Sequence, residues 1–297
     1  MRSYGYKFAL FAYLSMVITT IAHAQAVSSR DDRGQLIRLN APAQRIISLS
    51  PHLTENLFAI GAGALIVGTV DFSDYPEAAK KITPLGGYDS VDLEQVRALK
   101  PDLIVAWETG NSPAQLAKLA ALGIPMFYDN AQTLTQVPTV LTRLGVLTGH
   151  AQAAEQAATK FRSRIQQLEQ QYSQQRPLRL FYQVWDRPLM TINKQQIISD
   201  AMRICGARNV FANLPLLVPT IDEEAVLAAN PDMIISTGEQ GANPQWAQRW
   251  YKWPRLTAVK RQQIITLPAD LLIRMGTRLP DGVEKLCLAV AKARQQQ

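Results

Sequence analysis

The sequence predicts an α/β protein built as two similar lobes with parallel-type sheets. Three observations predict it. Short apolar runs alternate with helical stretches along the chain, the pattern of sheets covered by helices. The stretch Asp92 to Trp107, DLEQVRALKPDLIVAW, returns as Asp222 to Thr237, DEEAVLAANPDMIIST, with 7 of 16 positions identical at an offset of 130 residues. Between the two copies lies the longest helical run, about Ala151 to Gln175, which has no internal Pro or Gly.

Each copy of the repeat reads as one unit. An Asp caps the free N–H groups of a short helix that carries a Glu in its first turn. A Pro-Asp turn stops the helix, and an apolar strand fit for burial follows. Helix-Pro-Asp-strand is a common connection and could recur by chance, but the turn has no need of the paired Glu94 and Glu224. Two lobes built alike leave a cleft between them, and clefts bind ligands.

The chain begins with a charged region at Arg2 and Lys7, an apolar run from Phe8 to Ile21, and Ala22-His23-Ala24. This is the form of an export signal, with cleavage expected after Ala24. No Cys lies near that site, so no lipid anchor is expected. Loss of Arg2 and Lys7 takes the formal charge from +7 to +5, since residues 1–24 hold no acid. The basic residues are scattered among acids, which argues against a nucleic-acid partner.

Residues 25–44 read as a polar, irregular lead-in, and residues 45–150 as the first lobe. Arg45 to Ser50 is its first strand. Ser50 and Pro51 then open a helix as cap and first helical residue. Ile66 to Val70 is a strand, Asp71 to Pro76 a loop with two aromatics, and Leu85 to Ser90 a second loop. After the first repeat copy come a helix to Gly123, a strand from Ile124 to Tyr128 and a helix near Thr135 to Thr148. The connecting helix is assigned residues 151–176. Phe161, Ile165, Leu168 and Tyr172 form its apolar stripe. Periodicity alone leaves open whether it spans both lobes or ends the first. The second lobe, residues 177–297, opens with a strand from Leu178 to Val184. Trp185 to Met190 is a loop, and a helix runs to Cys205. Phe211 to Thr220 is an apolar loop, followed by the second repeat copy and Trp246 to Trp253. A strand at Ile264 to Leu267, a loop from Pro268 to Met275 and a terminal helix carrying Cys287 close the chain. Export permits a Cys205–Cys287 bridge that would contribute ~2–4 kcal/mol; two buried thiols are the alternative.

Sequence motifs for catalysis are absent. There is no G-x-S-x-G, no phosphate loop and no metal-ligand spacing, and outside the signal only His52 and His150 remain. No catalytic residue, metal site or cofactor is expected. What remains is a set of aromatics in loops after strands: Phe72, Tyr75, Tyr88, Trp107 and Trp185. Such loops face the ligand crevice of parallel sheets, and flat rings there suit a large planar ligand. Tyr75 and the Trp246, Trp250 and Trp253 stripe read as packing residues.

RIISLSPHLTENLFAIGAG, VGTVDFSDYPEAAKKI, ALKPDLIVAW and FYQVWDRPLMTINKQQIISDAMRICGARNVF together resemble the periplasmic vitamin B12-binding proteins of ABC importers. The likeness runs from about Arg45 to Ala291. It implies two α/β lobes joined by one rigid helix, a corrinoid in the interlobe cleft, and a soluble periplasmic monomer. It also implies docking of Glu94 and Glu224 to arginines of an inner-membrane permease, whose ATPase supplies the energy, and a Cys205–Cys287 disulfide. Cleft positions of the family fall on Pro51, His52, Phe72, Tyr88 and Trp107, and a polar pair falls on Asp270 and Arg274. One cleft aromatic of the family falls at Val218, and Trp185 stands where it could replace that face. His52 departs from the family and could ligate a metal or donate a hydrogen bond. Haem and ferric-siderophore receptors share the motifs. A siderophore calls for several cleft arginines, and only Arg274 and Arg187 can be placed. An exported α/β enzyme is the alternative of another class; a Ser, a His and a carboxylate converging in the cleft would support it, and turnover of a substrate would establish it. An adhesin or metal scavenger is the last alternative, and two histidines argue against tight capture of zinc or manganese.

Overall fold

The computed structural model describes residues 25–87, 90–238 and 245–296. The expected signal peptide and Tyr88 lie outside the described residues. The lead-in is not irregular. Val27–Arg30 (β1) and Leu36–Leu39 (β2) pair antiparallel. Along β2, buried Ile37 and Leu39 alternate with exposed Leu36 and Arg38, a period-two pattern that pins one face to the core.

The first lobe runs β3 (Ile46–Ser48), α1 (Pro51–Ala59) and β4 (Ile66–Thr69). A two-residue pair follows, β5 (Gly86–Gly87) and β6 (Ser90–Val91), where only a loop was expected. Then come α2 (Leu93–Ala98), β7 (Leu103–Trp107), α3 (Pro113–Ala120), β8 (Met126–Asp129) and α4 (Val137–Thr148). The sheet order is β4-β3-β7-β8, all parallel. After α5 (Ala151–Tyr172), the second lobe runs β9 (Leu178–Gln183), α6 (Ile197–Ile204), β10 (Ala207–Asn209), α7 (Glu223–Ala229), β11 (Met233–Gly238) and α8 (Gln245–Tyr251). It ends with α9 (Thr257–Lys260), β12 (Ile264–Pro268), α10 (Ala269–Leu272) and α11 (Leu279–Gln295). Its sheet is β10-β9-β11-β12, again parallel.

The repeat occupies the same place in both lobes. Its strands, β7 and β11, are each third in their sheet. The Asp92 carboxylate accepts from the Glu94 and Gln95 amides, and that of Asp222 from the Ala225 amide. The Pro-Asp turns also do the same work. Asp102 accepts from the Gln44 and Arg45 amides, and Asp232 from the Arg179 amide, so each ties its turn to the start of the neighbouring strand. The side chains of Arg45 and Arg179 return bonds to the Leu99 and Ala229 carbonyls at the ends of α2 and α7. The repeat therefore includes an arginine on the adjacent strand.

The connecting helix ends at Tyr172, a few residues before Gln175. Its 22 residues span about 33 Å. Ala154, Ala158, Phe161, Ile165, Leu168 and Tyr172 are buried in one continuous core. That core includes Ile46 and Phe127 of the first lobe and Leu180 and Met233 of the second. The helix is thus a shared wall of both lobes, which limits hinge motion.

Cys205 and Cys287 form the disulfide, with Cα atoms 4.5 Å apart. It ties the end of α6 to α11 across a sequence separation of 82. Closing a loop of that length disfavours the unfolded chain by about 4 kcal/mol. Replacing both cysteines with Ser should lower the melting temperature by on the order of 10 °C. An unchanged melting curve for the reduced protein, with both thiols titrated, would contradict this.

Candidate ligand-binding cleft

All strands of a parallel sheet point one way, so the loops after them share one edge. In the first lobe that edge carries Ser50 to His52, Phe72 to Pro76, Trp107 to Asn111, and Asp129. In the second it carries Trp185 and the segment from Asp270 to Arg278. These two edges meet. Arg274 donates through Nη1 to Glu55 Oε1 at 2.8 Å and Asp74 Oδ1 at 2.7 Å, and through Nη2 to the Phe72 carbonyl at 3.1 Å. Arg278 donates to both Glu55 oxygens at 2.8 Å and to Asp270 Oδ2 at 3.0 Å. Its guanidinium lies 3.9 Å over the Tyr75 ring. The Thr277 amide donates to Asn56 Oδ1 at 3.1 Å. A Cβ on neighbouring Gly276 would come within 3.2 Å of that same oxygen, so the lobes approach at backbone distance there.

Glu55 is the centre of this clasp. Its side chain is 1% exposed, and a buried carboxylate needs paired donors. It belongs to the first lobe and both arginines to the second, so the charge balance closes only when the lobes are together. Burial works against the charge of Arg274, but Asp74 and Glu55 outweigh it and hold the guanidinium above its ordinary value. The hydrogen bonds that Arg278 donates to Glu55 raise that guanidinium likewise. The expected pair Asp270 and Arg274 sits on this seam, but each bonds elsewhere: Asp270 to Arg278, Arg274 to Glu55 and Asp74. Across another part of the seam the Leu134 amide donates to Asp200 Oδ2 at 3.0 Å. A cavity of about 830 Å³ lies against α5, lined by Phe58, Tyr75, Lys160, Arg164 and Arg278 among others. Phe72, Trp107, Trp185 and Arg274 do not line it, but Tyr75, Pro76 and Arg278 do, so the hollow borders the clasp from the side of α5.

The aromatics stand differently on the two edges. Phe72 is 74% exposed and Trp185 62%. Phe72 has φ of +64°, uncommon for a residue with a Cβ. Its carbonyl is held by Arg274 while its ring stays in solvent. Trp185 Nε1 donates to the Arg187 carbonyl at 3.1 Å, which fixes the indole but leaves its faces open. One such exposed ring stands at the strand-end edge of each lobe. Trp107 is half-buried at the end of β7. Val218 is half-buried and packs on the core. Pro51 is the half-buried first residue of α1. Trp250 is packing, as expected: it is fully buried edge-on against Phe181.

His52 is buried rather than presented to the cleft. Its Nδ1 meets Ser50 Oγ at 2.6 Å, and its Nε2 meets Asp129 Oδ2 at 2.7 Å. Both ring nitrogens are taken, so none is free for a metal. The Ser50 hydroxyl makes no cap bond to α1. A serine, a histidine and a carboxylate do converge here, the set that an enzyme would need. Yet Ser50 is 1% exposed, His52 2% and Asp129 1%, which seals the hydroxyl from any substrate. Among the described residues, no group of three or more His, Cys, Asp or Glu side chains is arranged to hold a metal ion.

Glu94 and Glu224 are exposed, each the second helical residue after a capping Asp. Sequence reasoning missed Glu55, Asp74, Asp129 and Arg278. The Thr54-Glu55-Asn56 run inside an otherwise apolar helix was the available signal.

Residues 46–271 match the periplasmic binding protein family, and the chain belongs to it. Among its relatives, the vitamin B12-binding protein of Vibrio cholerae (strain O395) is 35% identical over 256 residues, covering 86% of this chain and 92% of that one. The vitamin B12-binding protein of Photorhabdus laumondii is 37% identical over 249 residues, 84% of this chain and 88% of that one. The crystal structure of the Vibrio cholerae periplasmic vitamin B12-binding protein BtuF superposes with a TM-score of 0.77 at 34% identity, covering 85% of this chain and 98% of that one.

Proposed function

We propose that this chain is a periplasmic receptor that captures a corrinoid between its lobes and delivers it to an ABC importer. The observation that carries the reading is the match to vitamin B12-binding proteins across 86% of the chain. The geometry supports it. Phe72 and Trp185 offer exposed rings, Trp107 a half-buried one, and the clasp holds the two edges close. In this reading Pro51, Phe72, Tyr88, Trp107 and Trp185 line the ligand, while Asp270 and Arg274 fix the cleft walls. Glu94 and Glu224 meet the permease. The receptor is a monomer freed by cleavage after Ala24, and it performs no catalytic step and carries no cofactor of its own. The burial of Ser50 supports the absence of catalysis. A haem receptor that used His52 as axial ligand would first have to free one ring nitrogen from its buried bond to Ser50 or Asp129.

Calorimetric titration of residues 25–297 with cyanocobalamin should show saturable one-to-one binding. Trp107→Ala should weaken it by about three- to tenfold, the worth of one aromatic stack. No heat and no colour retained after desalting would remove the corrinoid reading and leave the receptor fold.

A further inference from the structure

We infer that Ser50, His52 and Asp129 form the mount that fixes the Trp107 ring, and that His52 is a positioning residue for ligand binding. The inference rests on the reading that Trp107 lines the corrinoid cleft. Its geometry comes from three neighbouring strands. β3, β7 and β8 lie side by side, and Trp107 is the register partner of Asp129. His52 follows β3 but bonds to Asp129 at the end of β8. Its imidazole must therefore cross the end of β7, where Trp107 stands. The two rings meet edge to face, with centroids 5.3 Å apart and planes at 90°. That is a favoured geometry for paired rings.

The imidazole itself cannot turn. The carboxylate of Asp129 accepts from Nε2–H, and in the neutral ring Nδ1 then accepts from the Ser50 hydroxyl. Both bonds are buried, where breaking either leaves a polar group unpaired. Ser50 is free for this because its hydroxyl makes no cap bond to α1. The remaining supports of Trp107 agree. A Cβ on Gly110 would lie 1.8 Å from its Cε3 atom, so the 110 backbone is pressed against the indole. The Trp107 amide donates to Asn111 Oδ1 at 2.8 Å, and Asn111 Nδ2 donates to the Leu49 carbonyl at 2.8 Å. A ring so held loses little freedom when a ligand stacks on it.

A double-mutant cycle on the mature chain tests this, read by cyanocobalamin affinity and by the near-ultraviolet circular dichroism of the tryptophans. His52→Ala should weaken binding by about three- to tenfold and reduce the tryptophan dichroism. In a Trp107→Ala background the same change should alter affinity less than about twofold and leave the remaining dichroism unmoved. Ser50→Ala, which spares the helix cap and leaves the Asp129 bond, should show the same non-additivity at smaller size and serves if His52→Ala does not fold. An effect of His52→Ala that persists undiminished without Trp107 would overturn the mount. The dichroism needs no ligand. If it couples His52 to Trp107 while Trp107→Ala binds cyanocobalamin like the wild type, the cleft reading fails with the mount's role in binding. If the dichroism shows no coupling, the mount fails by itself.

Discussion

Glu55→Ala should lower the melting temperature by roughly 6–12 °C, the largest effect expected of any single substitution on the seam. The reason is asymmetry. Glu55 alone answers both Arg274 and Arg278, and it is 1% exposed while their side chains are 14% and 17% exposed. Removing one partner of a buried ion pair leaves the other charge desolvated and costs about 3 kcal/mol or more. Asp74 and Asp270 remain as second partners, which holds the cost at the lower end of that range. Glu55→Gln keeps the shape and one acceptor, so it should lose less. The acid side of the stability profile should respond too. Burial pushes the Asp74 carboxyl up, but Arg274 outweighs it and holds Asp74 below its ordinary value. Its contribution is therefore present above the unfolded value and lost as pH falls through the folded one. Thermal melts at neutral pH decide the matter. A shift under about 2 °C for Glu55→Ala would mean that the continuous core around α5, and not the clasp, holds the lobes together.

The clasp also shows where sequence reasoning reached its limit. The repeat was legible because its parts are local: a cap, a turn and a strand within one stretch. Its arginine partners, Arg45 and Arg179, were not, because they come from the neighbouring strand and differ in spacing from the repeat. α1 hid its chemistry for another reason. His52 through Leu57 are all buried, since the helix is covered on every side, and no polar face marks the pattern. Nothing local sets Glu55 apart from its polar neighbours Thr54 and Asn56, and its partners lie 219 and 223 residues away. His52 misled in the same way. Its place at a helix start beside Pro51 suggested a ligand contact, whereas Asp129, 77 residues on, draws the ring inward. The exposed rings of Phe72 and Trp185 were legible because loops after parallel strands share an edge whatever their partners. The β1–β2 pair shows in the sequence only as the alternation of Leu36 to Leu39, too short a run to stand out from its polar flanks.

Replacing Glu94 and Glu224 together with Ala should abolish uptake in cells that carry the cognate permease and leave cyanocobalamin affinity within about twofold of wild type. Each glutamate sits in the first turn of a short helix that feeds the third strand of its lobe's sheet. Their surroundings leave them available. Among the described residues the Glu94 carboxylate pairs with Arg97, at 3.3 Å, with both side chains mostly exposed. Beside Glu224, the adjacent Glu223 is already committed: it bonds Lys252 at 2.8 Å and accepts from Trp253 Nε1 at 3.2 Å. Of the two neighbours, Glu224 is the one offered outward. Charges of this kind add little while they stay in water, but close pairs desolvated at an interface couple by about 1.5–7 kcal/mol. Two such pairs, one on each lobe, can hold a receptor on its permease although neither alters the cleft. Glu223→Ala is the matched control: it removes a carboxylate from the same turn and should spare uptake. Uptake that survives the double substitution, or affinity lost along with it, would place the docking surface elsewhere.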